Sequence, residues 1–373
     1  MVIGIAMYTA NTIERTGVAW YVFHLVKQLA LLCPSGVTFR LYVDRPLVAD
    51  FFPLPDCVEV RVLRHPLKYA WTHTRLSYEL WRHPVDVLFV PSHVLPLFCR
   101  IPMVMTIHDV AAMHLPQTYS FAQRWYTITS ARFALKRAKA VIVPSLATKK
   151  DLEQLIPVST ARVTMVPLAV DTQQHCVASP EAVKTVLSEL NIIVPYFLFV
   201  GRLESKKNVQ GILRAYEVFR RLNTSCVQLV LVGKRGVGYE EIEQLFQNHP
   251  YKNDIILKEG WIEQEKVQAL YTGATVCVYP SLYEGFGLNV LESLSYGVPV
   301  IVSDSGSLSE LGGDCVVRVS ASDTEAIARA MATVCTDTAF LVHVKQDGPE
   351  YVKTYIWERT AVETLQVLTN VVT

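Results

Sequence analysis

Tyr279-Pro280-Ser281-Leu282-Tyr283-Glu284-Gly285-Phe286-Gly287-Leu288-Asn289-Val290-Leu291-Glu292-Ser293-Leu294 ends an apolar run, turns on two glycines and opens into a helical pattern. The run from Ala274 to Tyr279 reads as a buried strand that Pro280 stops. Gly285 and Gly287 permit backbone conformations that a Cβ hinders. A helix is expected from near Leu288. Its first amides have no partner inside the helix, so a phosphate or sugar hydroxyl in front of them meets ready donors and a favourable dipole. Glu292, more than a turn into that helix, offers two acceptor oxygens suited to vicinal hydroxyls such as those of a ribose. The plainer reading of Glu284 and Glu292 is a solvated acidic surface.

The same arrangement recurs upstream. The apolar run Tyr196 to Val200 leads into Gly201-Arg202-Leu203-Glu204-Ser205-Lys206-Lys207-Asn208, then into a helical pattern whose Val209, Ile212, Leu213, Tyr216 and Phe219 share one face. Cations in a first helical turn oppose the helix dipole by about 0.3–1 kcal/mol, which an anionic ligand relieves. Arg202 suits a phosphate through forked bonds, and Lys207 supplies a compact charge; a solvated basic turn is the alternative. Strands are expected near 2–7, 37–43, 58–63, 85–90, 102–107, 139–143 and 163–166, then near 196–200, 227–232, 254–257, 275–279, 298–302 and 315–318, alternating with helical patterns. Such alternation indicates the α/β class, with parallel sheets covered by helices on both faces. Ligands of such sheets bind outside the carboxyl ends of strands. Gly17, His108, Arg202, Gly233 and Glu284 all follow an expected strand. The stretch from Pro167 through Pro180 to Pro195 reads as the crossover between two domains.

Together these residues resemble family 4 of the retaining, nucleotide-sugar-dependent glycosyltransferases. The resemblance rests on strand-Gly201-Arg202-x4-Lys207-Asn208, on Glu284-Gly285-Phe286-Gly287-Leu288 with Glu292 eight residues after Glu284, on Gly297-Val298-Pro299-Val300-Ile301 and on Ser305-Gly306-Ser307. It extends to Thr106-Ile107-His108-Asp109, Val141-Ile142-Val143-Pro144-Ser145 and Trp357-Glu358-Arg359-Thr360-Ala361. It implies the GT-B fold: two Rossmann-like doubly wound domains facing a central cleft. Residues 1–185 would bind the acceptor, 186–352 the nucleotide sugar, and 353–373 would form a last helix crossing back to the first domain. One departure is the N-terminal Gly-rich loop, where only Gly17 precedes Val18-Ala19-Trp20-Tyr21.

The resemblance also implies roles. His108, Arg202, Lys207 and Glu284 are the expected catalytic residues, and Gly17, Asp109, Gly233, Lys234, Gly285, Phe286, Gly287, Leu288 and Glu292 the expected donor-binding ones. His108 lies near the donor sugar or is a buried structural histidine; Asp109 orients it or caps the next segment. Transfer is expected with retention of anomeric configuration, the leaving phosphate taking the acceptor's proton. The chain has no Asp-x-Asp pair to hold a divalent ion, so cationic side chains and helix amides are expected to stabilise the leaving diphosphate, with no metal or other cofactor. The donor is expected to be GDP-mannose or a UDP-sugar, the acceptor a glycan or lipid-linked saccharide of cell-envelope polysaccharide or glycolipid synthesis. A sugar-nucleotide epimerase of the same architecture and a non-catalytic nucleotide- or glycan-binding relative are the other classes. Intact Arg202, Lys207, Glu284 and Glu292 speak against the latter.

Composition narrows the field further. A length of 373 residues favours two domains. The net charge of +1 hides an asymmetry: residues 1–190 hold 19 Lys and Arg against 13 Asp and Glu, and the rest hold 16 against 21. Between Arg61 and His83, Arg61, Arg64, Lys68, Arg75 and Arg82 mix with Tyr69, Trp71, Tyr78 and Trp81, either an ordinary surface or a peripheral contact with an anionic membrane. Near-neutral charge and the lack of a recognition motif disfavour nucleic acid. The glycines of Gly233-Lys234-Arg235-Gly236-Val237-Gly238 stand in the wrong order for a dinucleotide fingerprint, which excludes a dehydrogenase. No secretion signal or membrane span is read, and the eight cysteines, scattered singly, are expected as thiols in a cytoplasmic protein.

Overall fold

In a computed structural model, which describes residues 1–15, 17–67, 70–92, 94–155, 163–171, 177–222 and 226–372, the chain builds two all-parallel sheets. The first contains β1 (Val2–Ala6), β2 (Thr38–Val43), β3 (Val58–Val62), β4 (Val87–Val90), β5 (Met103–Thr106), β6 (Ala140–Val143) and β7 (Val163–Met165), in the order β3-β2-β1-β4-β5-β6-β7. Helices α1 (Val18–Leu32), α2 (Ser77–Arg82), α3 (Ala111–His114), α4 (Phe121–Arg137) and α5 (Leu146–Leu155) connect these strands. The second sheet contains β8 (Tyr196–Val200), β9 (Gln228–Gly233), β10 (Ile255–Glu259), β11 (Val276–Tyr279), β12 (Val300–Ser303) and β13 (Val316–Val319), in the order β10-β9-β8-β11-β12-β13. With it go α6 (Pro180–Glu189), α7 (Val209–Leu222), α8 (Tyr239–Gln247), α9 (Gln264–Gly273), α10 (Leu288–Ser295), α11 (Thr324–Thr336) and α12 (Thr338–Val352); α13 (Trp357–Asn370) ends the chain.

Every strand begins and ends within two residues of its expected place. The reason is burial on both faces: β8, β11 and β12 are almost wholly apolar and buried, which leaves continuous hydrophobic runs in the sequence. In α7, Val209, Ile212, Leu213, Tyr216 and Phe219 are all buried, as their shared face requires. Strand order reverses at β1/β4 in the first sheet and at β8/β11 in the second. Those switch points are where a doubly wound sheet opens a crevice at its carboxyl edge.

Two units emerge: Met1–Met113, Ser120–Ala169 and Tyr355–Thr373 make one, His114–Tyr119 and Val170–Thr354 the other. The chain enters the second unit at Val170, before the crossing expected at 185/186, because α6 lies on α9. Ala178 N–H donates to Thr272 Oγ1 at 3.1 Å, and Lys266 pairs with Glu189 at 2.9 Å. The chain returns to the first unit at Tyr355 rather than 353. There Trp357 stacks on His24 of α1, with ring centroids 5.1 Å apart, and Thr360 Oγ1 donates to Pro167 O at 2.9 Å.

One expectation is corrected. Cys33, at the carboxyl end of α1, and Cys57, just before β3, form a disulfide. Their separation of 24 residues gives no sign of it, since packing of α1 on the first sheet brings them together. Cys99, Cys226, Cys277, Cys315 and Cys335 are free thiols. Cys176, Lys68 and Tyr69 lie outside the described residues. Among the described residues no single helix is long and apolar enough to cross a membrane.

Candidate active site

At the carboxyl edge of the second sheet, the loops after β8 and β9 run side by side as a continuation of the strands. Gly201 N–H donates to Val232 O, Leu203 N–H to Lys234 O, Gly236 N–H to Leu203 O and Ser205 N–H to Val237 O, each at 2.9 Å. This pairing accounts for Gly233: a Cβ there would lie 1.6 Å from Gly201 O. Lys206 and Lys207 fall in a 3-10 turn, Ser205–Lys207, which Asn208 ends in the left-handed region at φ 57°. The cations therefore precede α7 instead of occupying its first turn, which corrects the dipole argument. Asn208 Nδ2 donates to Pro280 O at 3.0 Å and Ala321 O at 2.7 Å, tying the basic turn to the end of β11.

Those ties set Lys207 against Glu284. Lys207 Nζ donates to Glu284 Oε1 at 2.5 Å, and Ser281 Oγ donates to the same oxygen at 2.8 Å, with both charged side chains largely buried. Among the described residues Glu284 Oε2 receives no protein donor. An ammonium carries three protons, so Lys207 keeps two for a ligand. The turn after Glu284 is fixed through its carbonyls: the Ser307 hydroxyl shares its one proton between Phe286 O at 2.7 Å and Glu284 O at 3.0 Å. Gly287, at φ 110°, then starts α10; a Cβ there would lie 2.6 Å from Leu308. Asn289 Nδ2 donates to Val200 O at 2.8 Å, which fastens the amino end of α10 to the end of β8. Among the described residues the amides of Leu288 and Asn289 have no protein acceptor. Glu292 Oε2 accepts from Tyr271 OH at 3.1 Å.

Other expected residues are held differently. Arg202 is 63% exposed and meets only Glu204, at 4.0 Å, among the described residues; it stands loosely at the edge where Lys207 is fixed. Lys234 and Gly285 are half-buried or buried in these loops, and Phe286 is buried. Arg235, adjacent to Lys234, is paired with Glu259 at 2.6 Å and lies over the Tyr239 ring. The hydrogen bond from Arg235, with one from Tyr239, holds the Glu259 carboxyl below its ordinary pKa.

On the carboxyl edge of the first sheet, His108 follows β5 and is buried. Its Nε2 lies 3.0 Å from Pro91 O, a pairing that puts a proton on Nε2, and its ring meets Tyr21 edge-on at 4.8 Å. Tyr21 OH in turn bonds Thr106 Oγ1 at 3.0 Å. Of the two roles offered for Asp109, the cap is seen: Oδ1 accepts from Ala111 N–H at 3.1 Å at the start of α3. Gly17, at φ 39°, precedes α1, and a Cβ there would meet nothing within 4 Å. Between Arg61 and His83 the aromatic set divides: Trp71 is core, its Nε1 donating to Leu63 O at 2.6 Å, while Tyr78 and Trp81 are exposed.

Several contributors are given no role by the sequence reading. Ser281, Asn208, Asn289, Ser307 and Tyr271 act through one or two hydrogen bonds each, and residues of these types are common in turns and cores. Ser281, three positions before Glu284 in a turn, is the one whose spacing could have been noticed. Arg15 is another: it is buried, forms a two-pronged pair with Asp50 and lies 3.9 Å from the Phe23 ring centre, fixing the loop ahead of Gly17.

Comparison with known proteins agrees with this geometry. Residues 15–174 match the family described as Glycosyltransferase Family 4, and residues 191–351 match Glycosyl transferases group 1. The chain is 27% identical over 318 residues to O-antigen chain mannosyltransferase B of Escherichia coli, covering 83% of this chain and 79% of that one. Sucrose-phosphate synthase from Thermosynechococcus elongatus superposes with a TM-score of 0.77 at 21% identity, over 99% of this chain and 98% of that one. An Anabaena protein in complex with UDP and glucose superposes with a TM-score of 0.76 at 15% identity, over 99% of this chain and 100% of that one. The chain is a glycosyltransferase of family 4 with the GT-B fold.

Proposed function

We propose that the protein moves a hexose from a nucleoside-diphosphate sugar to a saccharide acceptor, with retention of anomeric configuration and without a metal ion. The observation that carries this reading is the meeting of Lys207, Glu284 and the amino end of α10 at the β8/β11 switch point. As the bond between the anomeric carbon and the diphosphate oxygen breaks, negative charge collects on the leaving group. Lys207, with two protons uncommitted to Glu284, and the amides of Leu288 and Asn289 are preorganised donors for that charge. Arg202, unfixed by the protein, closes on the diphosphate when it is present. Glu284, tethered through Oε1, offers Oε2 to sugar hydroxyls, and Glu292 holds the ribose. His108 is assigned a hydrogen bond to the donor sugar. The acceptor hydroxyl attacks the anomeric carbon from the face the diphosphate leaves, and its proton passes to the departing phosphate oxygen.

Mannose, as GDP-mannose, is the favoured donor because the Escherichia coli relative is named a mannosyltransferase; the Anabaena protein, bound to UDP and glucose, supports a UDP-sugar as the other candidate. The O-antigen name likewise supports a glycan or lipid-linked acceptor of the cell envelope, made on the cytoplasmic face. A peripheral contact with anionic lipid belongs to the same reading. It is supported by α4, which exposes Phe121, Trp125 and Tyr126 and carries Arg124, Arg132, Lys136 and Arg137 without an acidic residue. Nucleotide release from GDP-mannose and UDP-sugars, with and without glycan acceptors and with and without a chelator, tests the proposal. Turnover is expected to survive chelation, and Lys207→Ala is expected to lower kcat by roughly 10²–10³-fold. Wild-type turnover in that variant, or its loss on chelation, overturns the proposal.

A further inference from the structure

Tyr271 of α9, Tyr279 at the end of β11 and Glu292 of α10 meet in the interior of the second unit. The two phenol oxygens are 3.1 Å apart, and Tyr271 OH is 3.1 Å from Glu292 Oε2. Both tyrosines are buried, and the Tyr271 ring stacks on Tyr296 at 5.3 Å, nearly parallel. A phenylalanine would fill the same space without a hydroxyl to satisfy, so the hydroxyls are there for their bonds. Burial raises both phenols well above their ordinary pKa, so each keeps its proton at neutral pH. A carboxylate only accepts, which commits the single Tyr271 proton to Glu292; Tyr279 must then be the donor to Tyr271. Each bond in such a line strengthens the next. The line fixes one carboxylate oxygen, and among the described residues Glu292 Oε1 has no protein donor.

We propose that Tyr271, aided by Tyr279, is a positioning residue that holds Glu292 by one oxygen so that the other is fixed for the ribose hydroxyls of the donor. This inference rests on the assignment of Glu292 to the ribose. A site built around a substrate hydroxyl rejects the analogue that lacks it, because the site's own polar group is left unpaired. Loosening the carboxylate must therefore weaken ribose recognition while leaving the leaving-group chemistry alone.

The test compares wild type, Tyr271→Phe and Glu292→Ala by binding of GDP against 2′-deoxy-GDP and UDP against 2′-deoxy-UDP, together with donor kinetics. Tyr271→Phe is expected to raise donor KM roughly tenfold, with kcat within about twofold, and to reduce the preference for the ribonucleotide by a similar factor. A merely structural role would lower the affinities for ribo and deoxy forms alike. Should Glu292→Ala lose the ribo preference while Tyr271→Phe keeps the wild-type ratio and KM, the positioning role is overturned and the ribose assignment stands. Should Glu292→Ala itself keep the wild-type ratio, the ribose assignment falls and this inference with it. If Tyr271→Phe does not fold, Tyr279→Phe replaces it: a smaller loss of ribo preference supports the proposal, and an unchanged ratio overturns it.

Discussion

Gly211 determines where Lys207 points, although it touches no ligand. It lies in the first turn of α7, and a Cβ there would sit 2.4 Å from Asn208 Oδ1. Without the space, the Asn208 amide cannot stay bonded to Pro280 O and Ala321 O, and the turn that aims Lys207 at Glu284 loses its anchor. Gly211→Ala gains up to about 1 kcal/mol of helix propensity. Crowding costs roughly 1–3 kcal/mol, so a small net loss of stability is expected. Donor KM should rise by more than the melting change suggests; a fully active, more stable variant in thermal and kinetic assays would show that Asn208 does not govern Lys207. Glu284→Gln separates charge from shape at the same place. An amide oxygen still accepts from Lys207 and Ser281 but no longer balances the ammonium, and turnover should fall while the melting temperature stays within a few degrees. The sequence singles out Lys207 and Glu284 because charged residues after strand ends are informative by type and spacing, and Glu292 by standing eight residues after Glu284. The roles of Asn208, Ser281 and Tyr271 are not read there, since a polar bond or two inside a turn or core leaves no periodicity.

Among the elements, α1 is held at its carboxyl end by the Cys33–Cys57 disulfide and along its length by α13. A cross-link enclosing about two dozen residues stabilises by about 3 kcal/mol in the chain-entropy account. Reduction should therefore lower the melting temperature of the first unit by roughly 5–10 °C, and Cys33→Ser should reproduce that shift and become insensitive to reductant. Equal melting of wild type with and without dithiothreitol would count against the cross-link in solution. The sequence gives no hint of this tie between a helix end and a loop, whereas the strands of the first sheet are readable to within two residues from their apolar runs. Helix α4 presents the converse case. Its Phe121 and Trp125 are 85% and 62% exposed, so large hydrophobic residues here lie on the surface. Phe121→Ser with Trp125→Ser should reduce partitioning onto phosphatidylglycerol vesicles by tenfold or more, and raised salt should weaken what remains, since each cation near such a surface contributes about 1 kcal/mol. Partitioning equal to wild type would remove α4 from the lipid contact.

At the scale of the molecule, Gly17, His108, Arg202, Lys207, Gly233 and Glu284 all lie at or after the carboxyl ends of strands in the two sheets, a placement already implied by strand–helix alternation. What alternation does not reveal is where the chain changes unit, because α6 carries helical periodicity whichever sheet it joins; only its packing on α9 assigns it. The same burial that makes the strands legible has a consequence for pH. Tyr21 in the first unit and Tyr196, Tyr271 and Tyr279 in the second have phenols raised well above 10 by desolvation, and Tyr216, for the same leading reason, is pushed up to about 12. A phenol whose folded pKa is raised contributes stability that is complete below its unfolded value near 10 and is lost as pH climbs towards the folded value. Each of these groups that stays protonated in the native state lowers stability as pH climbs above 10, and the losses add within each unit. Melting temperatures should accordingly be flat from pH 7 to 9.5 and fall steeply beyond 10. Absorbance at 295 nm should show fewer tyrosinates in the native protein than in guanidinium at the same pH just below that fall. Equal ionisation in the two states would mean that these phenols reach water in the native protein, and the Tyr279–Tyr271–Glu292 line could not then keep its protons in the order the site needs.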